Sequence, residues 1–132
     1  MNIWYSIVAI LLGTVLSACS THHTHSFAQT SSNPYVYQYV QHITRKLEII
    51  GATQQDTIQA LVTQAATLEV QISINHGGTL MGVQLQHSSG NPQLDAAMIE
   101  LIEYSAPYPP LPDELEMEIL TIQKRWQFIP NS

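Results

Sequence analysis

Leu68, Val70, Ile72 and Ile74 alternate with Glu69, Gln71 and Ser73, a period of two that sends successive side chains to opposite faces of a strand. Four apolar residues, three of them β-branched, share one face, and polar residues hold the other. Such a strand is half-buried, so the chain must supply a second layer to cover its apolar side. Asn75-His76-Gly77-Gly78 follows, a turn able to supply positive φ. Leu80, Val83 and Leu85 then continue as a second strand, and the broken spacing between Leu80 and Val83 predicts a bulge near Gly82. Together these strands make a hairpin. An isolated hairpin is marginal in water, so more structure must pack against it.

Candidate covering elements flank the hairpin. Asn33 is a good N-cap and Pro34 suits the first helical position. Val36, Tyr39, Val40, Ile43, Leu47 and Ile50 recur at spacings of three and four, which predicts a helix over about 34–50 with Gly51 as its stop. Thr53, with Asp56 three residues on, predicts the cap of a second, shorter helical segment carrying Ile58, Leu61, Val62 and Ala65. After Ser88-Ser89-Gly90 the cap-then-proline signal recurs at Asn91-Pro92. Leu94, Ala97, Met98, Leu101 and Ile102 form the apolar stripe of that helix.

Pro107-Tyr108-Pro109-Pro110-Leu111-Pro112 forbids helix and is stiff and extended. Beyond it, Leu115, Met117 and Ile119 lie on one parity and Leu120, Ile122, Trp126 and Phe128 on the other. A last strand over 115–128 with a mid-point bulge is the simplest account, with Pro130 ending it. The expected fold is α+β: helices packed on one face of a three-stranded antiparallel sheet, in a single domain over 34–130.

Four basic residues stand against ten acidic ones, for a net charge of −6. That balance argues against nucleic acid, whose binders present a basic face, and against attraction to anionic lipid. A protein partner or a neutral ligand is left. The chain has no Gly-rich phosphate loop and no HExxH. His42, His76 and His87 fall on a helix, a turn and a strand end without a carboxylate at fixed spacing, and Glu100 and Glu103 lie on the polar side of their helix. Neither an enzyme nor a cofactor is expected, and no catalytic residue is assigned. His22, His23 and His25 lie in a polar stretch that fixes no geometry, so no metal is assigned there either.

Ile3 to Leu16 is an almost unbroken apolar run, shorter than the roughly 20 residues that span a bilayer and sized as the apolar core of an export signal. It ends in Leu16-Ser17-Ala18-Cys19, which resembles the lipobox of bacterial lipoproteins. The resemblance implies a signal peptide at 1–18 that is removed and a fatty-acylated Cys19, such as palmitate supplies, as the new N-terminus. It also accounts for a lone thiol in an exported chain. Met1-Asn2 lacks the customary positive charge, and the alternative is an uncleaved anchor. Residues 19–33 are Ser- and Thr-rich and read as a flexible tether with a span of roughly 20 Å. Ser20 stands where an aspartate would, by the same resemblance, hold a lipoprotein in the inner membrane. The lipobox resemblance implies the periplasmic side of a bacterial membrane, and Ser20 favours the outer one.

One combination is more specific than its parts. Gly78-Thr79-Leu80-Met81-Gly82-Val83-Gln84-Leu85 leads into Ser88-Ser89-Gly90, then Leu94-Asp95-Ala96-Ala97, then Ala106-Pro107-Tyr108-Pro109-Pro110-Leu111-Pro112. In that order and spacing it resembles the C-terminal domain of the TonB family, to which the TolA C-terminal domain is related, over about 33–129. Ser88, Ser89, Gly90, Leu94, Asp95, Pro109 and Pro112 are then structural motif residues. The resemblance implies binding of an envelope protein by β-augmentation on the last strand, with Leu120, Ile122, Lys124, Trp126 and Phe128 marking the docking edge. Glu114, Glu116, Glu118, Lys124 and Arg125 would guard that edge against misuse. The implied partner is an outer-membrane transporter or a component of a secretion complex, and a homo-oligomer is left open. Two further readings stand beside this one: a shortened TonB-type energy transducer for outer-membrane transport, and a structural subunit of an envelope-spanning secretion complex.

Overall fold

Asn33 accepts a hydrogen bond from the Tyr35 N–H at 2.9 Å, and the chain turns into its first helix there. The structure is a computed structural model and describes residues 33–131. The expected signal at 1–18, Cys19 and the histidines of the tether lie outside the described residues. Helix α1 (Pro34–Thr53) buries Val36, Tyr39, Ile43 and Leu47. It does not stop at Gly51, as the sequence suggested. The helix runs on to Thr53 and ends at Gln54, whose φ is −113° and whose N–H bonds the Gly51 carbonyl at 3.1 Å. No left-handed residue is used, so the glycine has no capping task.

Helix α2 (Gln55–Ala60) follows directly. The cap expected from Thr53 is not formed, because its hydroxyl donates back to the Ile50 carbonyl at 2.6 Å within α1. Ile58 and Leu61 still pack against the core, and Val62 is buried in it. Among the described residues no helix is long and apolar enough to cross a membrane.

Strands β1 (Ala66–Asn75), β2 (Leu80–His87) and β3 (Ile119–Phe128) form one antiparallel sheet in the order β2-β1-β3. Leu68, Val70, Ile72 and Ile74 on the central strand are 0% exposed, which is what a strand flanked on both edges and covered on one face requires. Helix α3 (Pro92–Tyr104) contributes Leu94, Met98, Leu101 and Ile102 to the same core as α1 and the strands. Helices therefore cover one face of a three-stranded sheet, an α+β arrangement. The bulge expected near Gly82 is present: Ser73 faces Gly82, Ile74 faces Leu80, and Met81 is the extra residue. A second irregularity leaves Gln86 unpaired between Leu85 and His87.

The last strand is shorter than expected. Residues 113–118 are irregular, and pairing with β1 begins at Ile119 and runs without interruption to Phe128. The change of parity is not a bulge: Ile119 already lies in the regular strand on its exposed face, and only Leu115 and Met117 belong to the irregular segment before it. Leu115 N–H bonds the Pro112 carbonyl at 2.9 Å, and this turn drops Leu115 into the core before the strand starts.

Candidate partner-binding edge

The ten residues of β3 pair with β1 through one edge, from Ile119 opposite Asn75 to Phe128 opposite Ala66. In the order β2-β1-β3, the other edge of β3 has no strand beside it among the described residues. Every second N–H and C=O along that edge points away from the sheet, so it can template a further strand.

The five residues named for this edge divide into two groups. Leu120 and Ile122 are buried in the core, where they face Ile74 and Ile72 on β1. Their side chains are committed to the fold. Lys124, Trp126 and Phe128 share their face and are half-buried, with Trp126 and Phe128 packed against the margin of the core. The Lys124 ammonium sits 5.7 Å from the Trp126 ring centroid, a cation–π pairing that orders both side chains. On the opposite face Arg125 lies across from Glu69, and its Nη2 and Nε donate to Glu69 Oε2 at 2.8 and 3.1 Å. The guanidinium is largely exposed, so this pair contributes little stability. What the edge offers a partner is main chain, with Lys124, Trp126, Phe128 and Gln123 as flanking side chains.

Just before β3 the exposed carboxylates of Asp113, Glu114, Glu116 and Glu118 cluster on the irregular segment. Asp113 lies 3.6 Å from His76 Nε2 with both side chains in solvent. Among the described residues no group of three or more His, Cys, Asp or Glu is placed to hold a metal ion.

The motif residues position this edge indirectly. Asp95 sits in the first turn of α3 and accepts from the Ser88 hydroxyl, from the Ser89 N–H at 2.8 Å and from the Ser89 hydroxyl at 2.5 Å. Burial pushes the Asp95 carboxyl up, but these serine donors outweigh it and hold the group below the usual aspartate value. Gly90 takes φ +86° between the strand and the α3 cap, and Leu94, in the first turn of α3, is buried in the core. Asn91 caps α3 through its side-chain oxygen, which accepts from Gln93 N–H at 3.0 Å. Its amide nitrogen donates to the Leu61 carbonyl at 2.8 Å and so ties the end of α2 to the start of α3. The capping role was readable from Asn91-Pro92, whereas no local signal announces the bond to Leu61.

The proline segment is pinned to the hairpin turn. Tyr108 N–H bonds Gly78 C=O at 3.0 Å, and Leu111 N–H bonds His76 C=O at 2.8 Å. The Pro109 carbonyl accepts from the Tyr39 hydroxyl at 2.7 Å, and the Pro112 carbonyl forms the turn that leads into β3. Lys46 closes the outside of this segment, its ammonium 2.5 Å from the Pro107 carbonyl and 5.3 Å from the Tyr108 ring centroid. Burial pushes the hydroxyls of Tyr39 and Tyr108 up to about 12. Folding therefore holds both protons, and the stability that they contribute is complete below about pH 10 and lost as the pH rises towards 12. Tyr39→Phe is expected to cost about 1 kcal/mol at neutral pH and to soften the alkaline unfolding transition, read by circular dichroism between pH 8 and 12.

The family model described as TonB C terminal matches residues 36–123. The chain belongs to the TonB C-terminal domain family. Among solved structures, the TonB C-terminal domain of Helicobacter pylori is 15% identical and superimposes with a TM-score of 0.52, over 72% of this chain and 83% of that one. The C-terminal domain of HasB is 20% identical, with a TM-score of 0.45 over 76% of this chain and 78% of that one. At such identity the H. pylori domain speaks for the TonB fold of this chain and not for its partner. No curated protein matches.

Proposed function

We propose that this TonB-family domain is the binding part of a non-catalytic lipoprotein on the periplasmic side of a bacterial membrane, the outer one favoured. It captures an envelope protein by adding an extended segment of that partner to β3. The observation that carries the reading is the ten-residue strand at the sheet margin, paired without interruption on one side and, among the described residues, open on the other. An extended partner would satisfy the outward N–H and C=O groups while Lys124, Trp126 and Phe128 contact its flanks. Cys19, the residue on which the lipobox resemblance rests, would carry the lipid. A lipid ends within one leaflet, and a tether spanning roughly 20 Å does not reach the other membrane, so the reading includes binding without coupling to a motor.

A photo-crosslinking amino acid at Gln123 or Gln127, compared with the same group at exposed Gln38 or Thr57 on the helices, tests the docking edge in cells. The β3 positions are expected to give one discrete adduct with an envelope protein that the helical positions do not give. Adducts from the helical positions alone, or none from β3, would overturn it. Mass spectrometry of the mature N-terminus tests the anchor: a diacylated Cys19 is expected, and an intact Met1 would sink that part of the proposal.

A further inference from the structure

β1 is longer than one of the strands beside it. β3 pairs with all ten of its residues, whereas β2 pairs with it only as far as Glu69, which faces His87. Ala66, Thr67 and Leu68 therefore have a strand on one side alone. Parity decides where their main-chain groups point, because the N–H and C=O of one residue leave a strand on the same side and alternate along it. Asn75 N–H bonds Thr79 C=O across the hairpin at 2.9 Å, and His76 N–H bonds Glu118 C=O on the β3 side at 2.8 Å. β1 pairs with β3 without a break, so its odd-numbered residues turn towards β2 and its even-numbered ones towards β3. Thr67 is odd. Its N–H and C=O leave the sheet on the β2 side, past the end of β2. Ser89 would come level with Thr67 if β2 ran on, but its N–H is given to the Asp95 carboxylate at 2.8 Å and the chain turns away into α3.

A cleft of about 460 Å³ opens at this place, within the size range of small-ligand sites. Thr67, His87, Ser88 and Gln127 line it, with Ala66 and Ile129 as apolar walls. Gln127 lies across from Thr67 on the same face of the sheet, and its amide and the His87 imidazole are both exposed. We propose that this notch is a peptide site, separate from the β3 edge, in which one residue of a short, uncharged, extended peptide pairs with Thr67 as if β2 ran on. A donor and an acceptor side by side on a strand margin are matched by an extended peptide residue, which carries the same pair on its own main chain. Gln127 and His87 add hydrogen-bonding groups on either side of it. What lines the cleft also sets the charge of the ligand. Among the described residues that line it there is no Lys or Arg, and the Asp95 carboxylate lies directly behind Ser88 and Ser89. A terminal carboxylate would find no fixed cation there and would meet a like charge.

The full chain carrying Cys19→Ser, isotope-labelled and held in detergent, tests this by nuclear magnetic resonance with two probes, acetyl-trialanine amide and acetyl-trialanine with a free carboxylate. Alanine keeps the side chains minimal, so the main chain is what is tested. The amide is expected to bind in the millimolar range, shifting the Thr67 N–H and the Gln127 side-chain amide and slowing hydrogen exchange at Thr67, with the free acid about tenfold weaker. Thr67→Pro removes an N–H that makes no ladder bond, so the sheet is expected to stay folded while binding is lost. Gln127→Ala leaves every main-chain bond in place and is expected to weaken binding severalfold, which keeps the test open should Thr67→Pro fail to fold. No shift at Thr67 with the amide, equal affinity for the two probes, or undiminished binding by folded Thr67→Pro or by Gln127→Ala would each overturn the proposal. Crosslinks from Gln123 on β3 do not involve Thr67 and are expected to survive Thr67→Pro, so the two sites stand or fall separately.

Discussion

Gly78→Ala is expected to lower stability by roughly 3 kcal/mol or more, a large share of what a domain of this size possesses. Two costs combine. Gly78 has φ +88°, a region that a side chain makes unfavourable by about 1–2 kcal/mol. A Cβ there would also stand 2.2 Å from the Tyr108 carbonyl oxygen and 2.9 Å from the Pro109 carbonyl carbon. Backbone cannot swing aside as a side-chain tip would, so the proline segment must lift. That would break the bond from Tyr108 N–H to Gly78 C=O and strain the Tyr39–Pro109 contact. Gly90→Ala supplies the comparison, because Gly90 has nearly the same φ, +86°, with nothing within 4 Å of an added Cβ. It is expected to show the backbone cost alone, about 1 kcal/mol. Urea unfolding followed by circular dichroism measures both. Equal losses would mean that the Tyr108 segment yields freely, and the close approach would not be the reason for glycine.

That contrast marks the boundary of what the sequence discloses. Both glycines sit in Gly- and polar-rich turns, and nothing local tells one that approaches another segment from one that does not. Contacts at short range were legible: the alternation over Leu68–Ile74 gave the central strand, and Asn33-Pro34 and Asn91-Pro92 gave two helix starts. Tertiary context decided the rest. Gly51 stayed helical because the chain needed no reversal there, and Thr53 turned its hydroxyl inward rather than capping α2. Leu115 and Met117 looked like strand because alternate residues are buried, yet burial came from a turn docked on the core. A similar limit applies to the docking edge. The resemblance placed Leu120 and Ile122 among the markers of the proposed edge, and the structure buries both side chains in the core, which the alternation along the strand did not reveal. Which edges of a sheet are open depends on strand order, a property of three segments at once, so the notch beside Thr67 was invisible until β1 took the centre.

Asp95 offers the second large effect. Asp95→Ala is expected to cost about 3 kcal/mol, because it strips the acceptor from three donors that meet at one buried carboxylate, the Ser88 hydroxyl and the N–H and hydroxyl of Ser89. Asp95→Asn keeps the shape and one acceptor oxygen but loses the charge that strengthens these bonds, with an expected cost of about 2 kcal/mol. The two serines close the path from β2 into α3, so the loss should first loosen the α2–α3 junction held by Asn91 and Leu61. Hydrogen exchange at Ser89 and Leu94 is expected to quicken in both variants before that of Val70 or Ile72. The pH dependence separates charge from shape. The folded value for Asp95 is depressed below 3.8, so its ionised form adds stability above that pH, and the contribution is lost as the pH falls through the folded value. The gap between the native chain and Asp95→Asn should therefore stay constant from pH 8 to pH 5 and narrow below about pH 4. A gap that persists undiminished down to pH 2 would mean that the serines hold a shape and not a charge.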